Sequence, residues 1–160
     1  MSSGSPGVVR IWVSVIVALV LTIVPLPVPH LVDMLRPSFL LLTILYWSIA
    51  APWAGGIGLG WFVGLLMDIF KGPVLGEHAL VLSFMAYIFV REHQRIRSKP
   101  LLQQAMIVMF ASGFYEVLLF MVDGFTKHPV TDPSRWAHIP LDFFVWFPAT
   151  AILGYRERRT

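Results

Sequence analysis

Residues 38–70 hold two apolar runs, separated only by the link Ala51-Pro52-Trp53-Ala54-Gly55-Gly56, and the second run contains one acid, Asp68. A charge on a lipid-facing helix costs about 2.5–3.5 kcal/mol on insertion scales, so Asp68 has to face protein or water. Gly56, Gly60 and Gly64 precede it at four-residue intervals. That spacing drifts slowly around an α-helix, so the glycines and Asp68 share a face. Small residues let helix backbones approach closely within a membrane. The pattern reads as a packing ridge for the bundle or for a partner helix, with Asp68 as a buried anchor or pocket wall. A plainer reading leaves Asp68 near a loop, paired with Lys71 three residues on.

The rest of the chain places these runs in a bilayer. Of 160 residues, 57% are hydrophobic and 13% are charged, and mean hydropathy is +0.74. Soluble domains carry roughly 25% charge, and a chain this short could not bury so much apolar surface in water. Absence of cysteine excludes disulfides and thiolate metal sites. A pI near 9.6 raises nucleic acid as a partner. The basic residues read better as topology signals in loops, so no nucleic-acid partner is expected.

Six apolar segments are expected, at about 10–29, 38–51, 54–70, 77–91, 101–123 and 139–155, in a single polytopic domain over 1–160. The first ends in Pro25, Pro27 and Pro29 and lacks a small-x-small cleavage site, so it reads as a retained span. The second is short for a span. Five spans plus one re-entrant helix is therefore the alternative to six. With the N-terminus inside, Arg10, Arg91, Arg95, Arg97, Lys99, Arg156, Arg158 and Arg159 fall on the cytoplasmic side. Arg36, Lys71, Lys127 and Arg135 fall outside. That bias predicts both termini in the cytoplasm.

Further polar groups mark the spans. Glu116 sits midway along the fifth segment, with Ser112 one turn before and Asp123 two turns after. Such acids face a bundle interior, either for function or as structural hydrogen-bonding groups. Arg36, Glu77, His78, Asp123 and Asp142 should form an outer polar rim. No catalytic set is expected: nucleophile-elbow, zinc-protease and phosphate-loop patterns are missing. Glu77 and His78 are adjacent and point about 100° apart on a helix, a poor chelate, so no metal or other cofactor is expected.

Arg36-Pro37, the run to Tyr46-Trp47 and Pro52, then Gly64-Leu65-Leu66-x-Asp68, Gly72, Leu75-Gly76-x-His78-Ala79-Leu80 and Tyr87 resemble the rod shape-determining MreD family. Gln103-Gln104-Ala105 and the basic tail are similar as well. The resemblance implies a compact six-helix, multi-pass protein of the bacterial inner membrane. It also implies a non-enzymatic role in cell elongation beside the single-span protein MreC. The MreB filament, the polymerase RodA and its transpeptidase are implied at one remove, in side-wall peptidoglycan synthesis. The family's fold is likened to the substrate-binding subunits of vitamin importers. The competing expectation is therefore a small-molecule or lipid-precursor binding protein, with Asp68, Glu116 and Asp123 around a cationic or hydroxyl-rich ligand.

Overall fold

A computed structural model describes residues 6–24, 27, 29, 36–71, 75–126 and 133–154. Among them every regular element is helical. Helix α1 spans Pro6–Ile23, α2 Phe39–Ala50, α3 Ile57–Lys71, α4 Glu77–Arg91, the short α5 His93–Arg97, α6 Leu101–Thr126 and α7 Ile139–Gly154, with a 3-10 turn at Pro133–Trp136. Proline sets both ends of α1. Pro6 opens it, where the missing amide costs nothing, and the helix stops at Ile23, two residues before Pro25. The helix therefore starts and ends earlier than the 10–29 segment.

The centre of the bundle is α2. Ten of its twelve residues are buried, so it touches protein on all sides. At 1.5 Å per residue it is about 18 Å long, short of a roughly 30 Å hydrocarbon core. Its shielding removes the need to meet lipid along a full span. The hydroxyls of Thr43 and Ser48 are satisfied locally, by the carbonyls of Phe39 (2.8 Å) and of Ile44 and Gly55 (2.8 Å each). By length and composition, α6 is the helix among the described residues that can cross a membrane; α1, α2 and α7 are apolar but shorter.

The core is apolar, but the outer surface is apolar too, unlike that of a water-soluble protein. On α6, Ser112, Glu116 and Asp123 are buried, whereas Phe110 is 71% and Phe125 83% exposed. Trp12, Ile16 and Val20 on α1, and Trp61, Ile69 and Phe70 on α3, also face outward. Large exposed apolar surfaces of this extent mark contact with membrane or protein.

Helices α3 and α4 form the most extensive pair in the bundle, and glycine makes it possible. A Cβ on Gly64 would stand 2.5 Å from Ala79 Cα and 2.6 Å from its amide nitrogen. One on Gly60 would stand 2.9 Å from the Leu82 carbonyl oxygen. Gly56 lies just before α3 rather than on it, and its carbonyl accepts from the Gly60 amide (3.2 Å). The ridge thus consists of two glycines and Asp68, turned into the chain's own α4. In the link, Gly55 lies under α2, where a Cβ would stand 2.4 Å from the Trp47 carbonyl carbon.

Candidate functional site

One end of the bundle gathers nearly every buried charge. Asp68, on the last turns of α3, is 1% exposed. Its carboxylate accepts from the amides of Gly76 (2.9 Å), His78 (3.0 Å) and Ala79 (3.2 Å), and His78 Nδ1 lies 2.8 Å from Oδ1. The first amides of a helix have no partner within it and carry partial positive charge. Asp68 therefore caps α4 from a different helix. Gly76 allows the approach with a φ of +99°, a left-handed conformation that favours glycine.

Arg135, in the 3-10 turn, joins two acids of α6. Its Nε lies 3.1 Å from Glu116 Oε2, and its Nη1 lies 2.5 Å from Asp123 Oδ2. Burial opposes the guanidinium charge, but the hydrogen bond to Asp123 and the Glu116 carboxylate outweigh it and hold the pKa above the ordinary arginine value. Glu77, at the start of α4, stands close enough to Asp123 for their carboxyl groups to interact electrostatically. His138 Nε2 sits between two carboxylates, 3.5 Å from Glu116 Oε1 and 3.7 Å from Asp142 Oδ2. Asp142, wholly buried, accepts from the Ser38 amide (2.9 Å) and so ties the start of α2 to α7. Ser112 Oγ and Asp142 Oδ2 are buried without a hydrogen-bond partner among the described residues. Arg36 donates to the carbonyls of Leu21 (3.0 Å) and Val24 (2.6 Å), closing the C-terminal end of α1.

Arg36, Glu77, His78, Asp123 and Asp142 thus stand at the same end as Asp68 and Glu116. A cavity of about 330 Å³ opens beside them, lined by Arg36, Lys71, His78, Glu116, Arg135 and His138 together with apolar residues. Asp68, Glu77, Asp123 and Asp142 do not line it. The acids are mostly used in contacts between helices, and Glu116 alone of them reaches the opening. Gly60 and Gly64 lie behind this end, in the α3–α4 contact.

Sequence reasoning undervalued Arg135 and His138, which read as loop residues. One signal pointed to them. Two acids on one face of a membrane helix need counter-charge, and the nearest bases on that side of the chain lie at 127–138.

Apolar outside, charged inside and helical throughout its described elements, the molecule is a helical membrane protein held together at one end by an ion-pair network. Comparison with known proteins carries this further. The family model described as rod shape-determining protein MreD matches residues 4–155. The curated rod shape-determining protein MreD of Haemophilus influenzae is 36% identical over 113 residues, 71% of this chain and 68% of that relative. No solved structure matches. The chain belongs to the MreD family, and that membership supports a role in determining rod shape.

Proposed function

We propose that the chain is a non-enzymatic scaffold of the bacterial inner membrane, crossing it six times with both termini cytoplasmic. In this reading it seats an MreC-like single-span partner and so helps direct side-wall peptidoglycan synthesis by RodA and its transpeptidase beside the MreB filament. The carrying observation is the fate of the acids. Asp68 caps α4, Glu116 and Asp123 hold Arg135, and Asp142 holds the start of α2. A binding protein for a cationic or hydroxyl-rich ligand would present these carboxylates to an open cavity. Here all but Glu116 are kept out of the cavity, and all four brace helices, as a rigid scaffold needs.

With the glycine ridge occupied by α4, the partner helix needs another seat. An apolar groove of about 610 Å³ runs between α1, α2 and α7, lined by Val13, Ser14, Val17, Ala18, Thr43 and Ala149 among others. Small side chains along such a groove favour close approach of a transmembrane helix. Co-purification of tagged chain in mild detergent, with partners identified by mass spectrometry, tests the reading. Recovery of an MreC-like protein, lost in Ala149→Trp at unchanged melting temperature, supports both the scaffold and the seat. Recovery of the chain alone with a tightly held small molecule overturns the scaffold. Sidedness is tested separately. In the cysteine-free background, Trp136→Cys should label with an impermeant maleimide in intact cells, and Trp53→Cys only after lysis.

A further inference from the structure

The charged cavity of about 330 Å³ and the apolar groove of about 610 Å³ meet, sharing Leu21 and Phe39 in their walls. From Leu21 back to Arg10 the groove follows α1 for about 16 Å. That is about the depth of one leaflet, half of a roughly 30 Å hydrocarbon core. A polar chamber opening into an apolar slot of this length has the outline of an amphiphile, with a compact head and a chain. The polar atoms facing the chamber define the head. Tyr115 is 5% exposed and lines it. Its hydroxyl makes no hydrogen bond among the described residues, yet it is not sealed in protein as Ser112 Oγ and Trp146 Nε1 are. Arg135 spends Nε on Glu116 and Nη1 on Asp123, so Nη2 remains to donate, and 21% of the side chain is open. His78 Nδ1 is engaged by the Asp68 carboxylate at 2.8 Å, and 16% of the side chain is open. An ionised carboxylate can only accept, so Nδ1 carries the proton and Nε2 of the neutral ring is left as an acceptor. Lys71 adds positive charge to the wall. Glu116, the one acid among the described lining residues, is held by Arg135 at 3.1 Å.

We propose that chamber and groove together bind one amphiphile, whose head is an anionic phosphate bearing a hydroxyl and whose tail is a hydrocarbon chain. Arg135 Nη2 and the Tyr115 hydroxyl donate to the phosphate oxygens. The hydroxyl of the head donates to His78 Nε2. The chain leaves past Leu21 and Phe39 and lies along α1. An anionic membrane lipid has this chemistry. The chain and the partner helix proposed above compete for the same groove. Only that competition, and the assignment of a leaflet, rest on the scaffold reading.

Native mass spectrometry of the full chain in neutral detergent tests the site, with phosphatidylglycerol, phosphatidylmethanol or phosphatidylcholine of the same acyl chains as the probe. One phosphatidylglycerol should bind about tenfold tighter than phosphatidylcholine, the gain expected of a charge-assisted contact. It should bind about threefold tighter than phosphatidylmethanol, which keeps the charge and lacks the hydroxyl. Tyr115→Phe removes an oxygen that no described residue uses, so it should melt with the parent while the preference over phosphatidylcholine falls about threefold. Lys71→Gln, on an exposed side chain, should lower the same preference. Lys99→Gln, at the opposite, basic end, should change it less than about 1.5-fold, because a distant exposed charge is screened. Ala149→Trp fills the groove and should weaken every one of these lipids about fivefold. Millimolar glycerol 3-phosphate, a head without a chain, should not displace the lipid. Equal binding of phosphatidylglycerol and phosphatidylcholine overturns the anionic head, and equal binding of phosphatidylglycerol and phosphatidylmethanol overturns the contact to His78. A preference lost in Lys99→Gln but kept in Tyr115→Phe and Lys71→Gln overturns the location. Displacement by glycerol 3-phosphate, or full affinity in Ala149→Trp, overturns the amphiphile. The titration needs no partner protein, so failure of the scaffold reading leaves its outcome intact.

Discussion

Substituting Gly64 by alanine adds one methyl group at the tightest point of the bundle. The new carbon would lie 2.5 Å from Ala79 Cα, 2.6 Å from Ala79 N and 2.7 Å from the His78 carbonyl carbon. All three are backbone atoms, so no side chain can rotate away. Relief to an ordinary contact near 3.5–4.0 Å requires α3 and α4 to separate by about 1 Å. Asp68 lies one turn farther along the same face. Its bonds to Gly76, His78 and Ala79 span 2.9–3.2 Å, and that shift would stretch them beyond hydrogen-bonding length. Overpacking alone costs about 1–3 kcal/mol. Loss of charge-assisted bonds to a buried carboxylate adds about 1.5–3 kcal/mol each, so a total of several kcal/mol is expected. Gly58→Ala is the control, since nothing lies within 4 Å of its added carbon and helix propensity favours alanine by about 1 kcal/mol. Thermal melting in mild detergent, followed by size-exclusion of the remaining soluble protein, reads the difference. Gly64→Ala should melt at least about 6 °C below the parent, Gly60→Ala in between, and Gly58→Ala at or above it. Gly64→Ala melting within about 2 °C of the parent would refute the steric reasoning.

Removing one partner from the charge network should cost more than removing the network. Arg135→Met strands Glu116 and Asp123 and should destabilise by about 3–5 kcal/mol; adding Glu116→Gln and Asp123→Asn should recover much of the lost melting temperature. Asp68→Leu removes the acceptor of the Gly76, His78 and Ala79 amides and should lower stability by several kcal/mol, about 3 or more, whereas Asp68→Asn, which keeps one acceptor oxygen, should lose less in the same melt. Gly55→Ala, which sets a carbon against the Trp47 backbone, should loosen the link and raise amide exchange at residues 51–56.

Membership of a membrane class was legible in the chain from composition and from the spacing of apolar runs, because the bilayer acts on each segment separately. An apolar run is favourable in lipid whatever packs beside it, and a proline ends a helix such as α1 wherever the helix lies. The common face of Gly60, Gly64 and Asp68 was legible for the same reason, since helical periodicity is local. What that face meets was not. Partner helix and α4 both fit a ridge of small residues, and only the three-dimensional arrangement puts Ala79 and Leu82 against it. The acids follow the same division. Their positions in apolar segments announced burial, since an isolated charge in lipid is costly. The identity of the counter-charge depended on how residues distant in sequence meet. Arg135 reaches back 19 residues to Glu116, and the Ser38 amide reaches Asp142 across 104. Electrostatic pairing depends on distance in space, which no periodicity encodes. A cavity at the basic end is likewise a product of packing: Tyr46, Arg97 and Trp146 carry no common motif, and the docking of α2, α5 and α7 brings them together.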